Sequence, residues 1–394
     1  MFRKYKLLGT AACLLMMLSI LFFPSVAGSL GLRPSATLDL GGSKVNGFVS
    51  TSDGKYVFIS LSVGRESSVF IAAANSTTME FSGRRIRGCP IAGELCLVQI
   101  RGNINPQDLE YNEAKKVLFV PGYDDDTLYV SQVDFDKDGK PTQAKAAKKV
   151  AVGAGPRAVA VNAEGTRAFT VNERDHTVSV VDILYKDNAP DKGEVIATIK
   201  LDPDEENPTY PSPTDIIIKG DKAYVVNTDT WQVCEIKNIN ANSEKVKKGE
   251  EKIELGACAG TGAYPRAIAT IGDTAYIVNS TGDSVTQMLL APQLQSVAEV
   301  EVGDAPRGIT TDNKCWVVVT NTGVDRGGAS VTLLSKDLKW SLTMPLDAAI
   351  PGDPIVPTQV QLVPQGDAMA LWVLNIGARG QLNVYSQFIG ACRP

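Results

Sequence analysis

The sequence predicts an all-β fold, a seven-bladed β-propeller of four-stranded antiparallel blades, on three observations. Short runs rich in Val, Ile and Phe alternate apolar and polar residues, as in Ala158–Val161, Ala168–Val171 and Val178–Ile183; this period of two marks strands half-buried on one face. Turn residues such as Ala163-Glu164-Gly165 and Asn172-Glu173-Arg174-Asp175 separate those runs. The same pattern then returns seven times along the chain, usually behind a leading proline.

The N-terminal segment stands apart from this pattern. Arg3, Lys4 and Lys6 precede an apolar run from Leu7 to Phe23, and Ser25-Val26-Ala27 offers small residues for cleavage before Gly28. Residues 1–27 are therefore expected to be a secretory signal peptide, leaving 28–394 as a single propeller domain. An uncleaved anchor is the competing reading, because the apolar run is nearly long enough to span a bilayer. After cleavage no transmembrane segment remains, and an exported destination, periplasmic or extracellular, is expected.

Taken in order, each pass has an inner strand, a hairpin and further strands. The first runs Asn46-Gly47-Phe48-Val49, Tyr56–Ser60 and Ser68–Ala72; the second starts at Pro106 and continues through Val117–Val120 and Thr127–Val133. The third starts at Pro156, the fourth at Pro213, the fifth at Pro265, the sixth at Pro306 and the seventh at Pro357. Six outermost strands follow: Leu95–Ile100, Lys149–Val152, Val195–Leu201, Lys252–Leu255, Val297–Val302 and Trp340–Met344. The seventh pass lacks one, while Ala36–Leu40 is a spare strand at the mature N-terminus. Joining that strand to the last blade closes the ring and removes exposed edges.

The segments Phe169-Thr170-Val171-Asn172, Tyr224-Val225-Val226-Asn227 and Tyr276-Ile277-Val278-Asn279, each behind a proline-led inner strand, resemble the YVTN-type, surface-layer-protein-like β-propeller repeat. The resemblance covers essentially the whole mature chain and implies the propeller fold. The functions it implies are diverse: binding scaffolds, lactonase-like enzymes and components of redox systems.

Six cysteines follow residue 27, and an even number in an exported chain suits disulfides. Spacing favours Cys89–Cys96, Cys234–Cys258 and Cys315–Cys392, with other pairings and free thiols as alternatives. The net charge of −5 argues against nucleic acid as a partner. His176 is the only histidine, so multi-histidine metal sites are excluded.

In a propeller the loops before the inner strands and those between second and third strands open on one face. Candidate ligand-binding residues there are Arg157, Arg266 and Arg307, each following a leading proline, with Asn172, Asn227 and Asn279 at the second-strand ends. Convergent guanidiniums suit a carboxylate or phosphate. The alternative is repeat grammar, with arginine bonding nearby carbonyls and asparagine its own turn. Asp134, Asp136 and Asp138 alternate ahead of Gly139, a spacing that raises Ca²⁺ as the one cofactor, although Lys145 stands where a calcium loop needs glutamate. A hairpin with solvated aspartates is the competing reading. The leading expectation is a non-catalytic exported scaffold that binds a protein partner or small anionic ligand at the channel mouth. The alternative is a divalent-metal-dependent, lactonase-like hydrolase.

Overall fold

In the computed structural model the described residues are 31–40, 44–63, 66–74, 81–82, 95–101, 104–202, 210–324, 328–349, 352–377 and 380–390. The expected signal peptide, Cys89 and Cys392 lie outside them. The described strands form seven antiparallel sheets, six of them with their strands in chain order from the channel outwards and the last closed by the first strand of the chain. Blade 3 shows the unit: Pro156–Val161, Arg167–Asn172, Thr177–Lys186 and Ala189–Lys200.

The ring closes as the spare strand requires. Ala36–Asp39 pairs antiparallel with Gln381–Gly390, setting Thr37 opposite Asn383 and Leu38 opposite Leu382. Blade 7 is thereby completed outside Pro357–Gln365 and Ala368–Asn375. Seven apolar clusters occupy the seven interfaces between neighbouring blades. At the closing interface Val57, Ile59 and Leu61 of blade 1 meet Trp372 and Leu374 of blade 7, with Leu38 and Leu40 beside them.

Three features differ from the sequence reading. Second strands such as Arg167–Asn172 are buried along their whole length rather than on one face. A neighbouring blade covers each of their faces, so Ala168 packs toward blade 2 while Phe169 and Val171 pack toward blade 4. In blade 2 the long third strand, Thr127–Phe135, takes two outer partners, Lys148–Ala151 and Pro141–Ala144. In blade 4 the outer strand is Glu254–Gly260, later than expected, because a helix at Ser243–Lys247 fills the connection before it. Asn242 caps that helix by accepting from the Lys245 N–H.

The late strand sets Cys258 opposite Cys234, and the two form a disulfide. Cys315 is also disulfide-bonded. Arg167, only 9% exposed, ties blade 3 to the blade 4 insertion. Its guanidinium pairs with Asp182 at 2.7 Å and donates to the Ile239 and Ala241 carbonyls and to Ser243.

Candidate active site

The inner strands share one local device. In blades 1, 3, 4, 5, 6 and 7 the pairing of first and second strands slips by one residue, as between Pro156 and Ala158. A bulge of this kind re-aims the extra side chain. In blades 3, 5 and 6 that residue is Arg157, Arg266 or Arg307, and all three line one central channel of about 410 Å³. The residue before the proline adds to the aim: Gly155, Tyr264 and Ala305 have φ of +65°, +62° and +49°. Tyr264 and Ala305 hold a left-handed conformation that their β-carbons disfavour.

The loops lie together as the propeller geometry demands. Glu173 N–H donates to the Gly155 carbonyl, Ser280 N–H to Tyr264, and Thr322 N–H to Ala305. The arginines meet different partners at this mouth. Arg157 pairs with Glu173 at 2.6 Å. Arg266 lies over the Tyr264 ring at 4.6 Å, and its Nε is buried with no hydrogen-bond partner among the described residues. Burial, then the Arg157 charge and, less strongly, Arg307, hold its guanidinium below the usual range. Arg307 is exposed, with no hydrogen-bond or ion-pair partner among the described residues. The cluster thus carries two guanidiniums without a counter-charge of their own.

The asparagines are placed elsewhere. Asn172, Asn227 and Asn279 are at most 1% exposed and do not line the channel. Asn172 donates to Thr177 and Ser179, Asn279 to Ser284 and Thr286, and Asn227 to the Cys234 sulfur. Each amide therefore bonds the third strand of its own blade. Gly153 and Gly262 lie against two of them, where a β-carbon would come within 2.5 Å of the Asn172 or Asn279 nitrogen. Their place in the repeat is structural rather than ligand-facing.

Asp134, Asp136 and Asp138 do not converge. Asp136 accepts from the Asp138 and Lys140 N–H groups of its own turn, both at 2.9 Å, and Asp134 faces Lys145 at 3.9 Å. Among the described residues no group of three His, Cys, Asp or Glu side chains is arranged to hold a metal ion. These side chains do not fit the divalent-ion variant of the hydrolase reading. His176 sits outside the channel, with Nδ1 against the Pro211 carbonyl at 2.6 Å.

The sequence reading passes over three channel residues, Asp108, Glu110 and Asp215. Asp108 and Asp215 occupy the column two residues after the leading proline, where other blades carry Ala158, Ala267, Gly308 and Gln359, and blade 1 carries Gly47 two residues after Val45. Two carboxylates in a column of mostly small residues was the available signal. Asp108 accepts from the Val159 N–H at 3.2 Å. Asp215 accepts from the Ile268 N–H at 2.9 Å and the Ile216 N–H at 2.8 Å. Both residues are half-buried and line the channel. Burial nevertheless pushes Asp108 up to about 6, and burial plus the Asp108 charge pushes Asp215 up to about 7. Burial together with Asp108 and Asp215 raises Glu110 to about 8.

An acidic wall below a basic mouth is the layout of a site that binds an anion and moves protons. The family model described as "Lactonase, 7-bladed beta-propeller" matches residues 109–326, more than half of the chain. This protein belongs to the seven-bladed β-propeller lactonase family. Its repeat resemblance holds at the level of the β-propeller, and no curated protein matches the chain. A putative 6-phosphogluconolactonase from Bacteroides fragilis is 18% identical, with 94% of this chain and 98% of that one covered at a TM-score of 0.55. A second, from Bacteroides uniformis, is 15% identical, covering 82% and 92% at 0.54. Virginiamycin B lyase from Staphylococcus aureus is 11% identical, covering 89% and 98% at 0.58. At these identities the likeness is one of fold.

Proposed function

We propose that this lactonase-family propeller is a hydrolase that opens a lactone carrying an anionic group inside its central channel. The observation that carries the reading is the stacking of three carboxyls, titrating near neutrality, beneath three guanidiniums in one channel. Family membership supports the hydrolase over the non-catalytic scaffold.

The chemistry follows from the layout. Arg266 and Arg307 supply charge-assisted donors for the anionic group and for the oxyanion that forms when water adds to the ring carbonyl. Asp215 receives the proton of that water, since a base titrating near 7 is ionised often enough to act and basic enough to accept. Its two backbone N–H donors fix the carboxyl in place and leave lone pairs free for the water. The channel volume suits a small molecule. The Cys234–Cys258 disulfide supports an oxidising, exported destination.

The test is pH-stat hydrolysis of glucono-δ-lactone and its 6-phosphate, corrected for spontaneous opening. Saturable turnover that Asp215→Asn lowers about 100-fold in kcat, in a protein that still folds, is the expected result. Rates equal to the spontaneous ones on both substrates would remove the reading.

A further inference from the structure

Glu110 differs from every other polar side chain at its depth in the channel. It lies two residues beyond Asp108, which sits just ahead of the inner strand Glu110–Asn112, and both residues line the channel. That spacing places it about 7 Å further from the mouth. Register fixes its neighbours. Glu110 pairs with Phe119, as Val49 does with Phe58, Ala160 with Phe169, Ile217 with Tyr224, Ala269 with Tyr276, Thr310 with Val318 and Gln361 with Trp372. Glu110 is the only ionisable group in this ring.

Gln361, its counterpart in blade 7, accepts from the Ser50 N–H of the next blade at 3.0 Å. The Glu110 carboxyl makes no such bond, and it has no hydrogen-bond or ion-pair partner among the described residues. A half-buried carboxyl facing a channel with nothing to accept from is best satisfied as the neutral acid, which can donate.

From this placement we infer that Glu110 is the general acid of the ring opening, donating its proton to the departing ring oxygen; this rests on the lactonase reading. Water oxygen bonds to the acyl carbon while Asp215 takes the water proton. The bond from acyl carbon to ring oxygen then breaks, its electron pair stays on that oxygen, and the Glu110 proton neutralises it. A proton returns from Asp215 to Glu110 through channel water, so lactone plus water gives the hydroxy acid with both carboxyls restored. The distance of about 7 Å between the two depths leaves room for a water and an acyl carbon. The upward push on Glu110 by burial, Asp108 and Asp215 agrees with this role.

General acid catalysis is needed for an alkoxide leaving group and scarcely for a phenolate, which separates the step from mere structure. Glu110→Gln and wild-type protein are compared on δ-valerolactone, an alkoxide leaver, and dihydrocoumarin, a phenolate leaver. The variant should lose about 100-fold in kcat on δ-valerolactone and roughly fivefold or less on dihydrocoumarin. Equal losses on both, or none on either, would overturn the inference while leaving the hydrolase in place. Wild-type inactivity on both, joined to rates no faster than the spontaneous ones on glucono-δ-lactone and its 6-phosphate, would remove the hydrolase reading and this step with it. Infrared difference spectra of the two proteins supply a readout without turnover. A protonated carboxyl band at neutral pH that vanishes in Glu110→Gln is expected, and its absence would overturn the inference whatever the activity.

Discussion

The Ile268 N–H of the fifth inner strand donates to Asp215 of the fourth at 2.9 Å, so a carboxyl of one blade covers the open edge of the next. The same clasp joins Val159 to Asp108, and at the ring closure Phe48 to Gln359 at 2.9 Å. An inner strand has an unpaired edge along the channel, and an inward polar side chain is one way to blunt it. The proposed catalytic carboxyl is therefore also part of the frame.

That double role makes stability depend on pH with a definite sign. The folded protein holds Asp108, Asp215 and Glu110 at about 6, 7 and 8, above their ordinary values of 3.8, 3.8 and 4.5. Between those limits the folded state binds more protons than the unfolded one. Stability should be fully expressed at acid pH and decline as pH rises through about 8. Urea midpoints at about pH 5 and about pH 8 should differ in wild type and differ less in the Asp215→Asn, Glu110→Gln double variant, which keeps Asp108. Equal midpoints in wild type would contradict the raised values.

The arginines should divide by their partners. Arg266→Ala and Arg307→Ala each remove a charge-assisted contact and should raise KM for the phosphorylated lactone roughly 10- to 100-fold. Arg157→Ala should cost less, since Glu173 already holds that guanidinium. Arg307→Lys should fail to restore binding, because an ammonium lacks the planar fork. Unchanged KM with lowered melting would assign these residues to the frame alone.

Closure rests on a short strand with well-buried leucines. Leu40 is 1% exposed in the cluster joining blades 7 and 1. Leu40→Ala should cost about 2–5 kcal/mol, and deleting residues 28–42 should unfold the ring cooperatively. A truncated protein that melts like the full chain would disprove closure by this strand.

The Cys234–Cys258 bond spans a sequence separation of 24 residues around the blade 4 insertion. Replacing both cysteines by serine should cost about 2–4 kcal/mol, seen as a lower urea midpoint under oxidising conditions. Wild type under reductant should approach the variant. No change on reduction would mean that the bond does not support the native state.

The ring was legible in the chain because its signals are local and repeated. The prolines at 156, 265 and 306, the Asn-ended second strands and the unpartnered strand at Ala36 each follow from backbone preference and from the need to pair edges. The Pro-Arg steps likewise placed Arg157, Arg266 and Arg307 on one mouth, since position in the repeat fixes the face. Other features depend on neighbours far along the chain. Burial of the second strands on both faces, and of Asn172, Asn227 and Asn279 inside their blades, follows only once adjacent blades and loops pack against them. The charge state of Asp108, Glu110 and Asp215 is likewise absent from composition. It arises because strands more than a hundred residues apart bring three carboxyls into one poorly hydrated channel, where desolvation and mutual repulsion favour the proton.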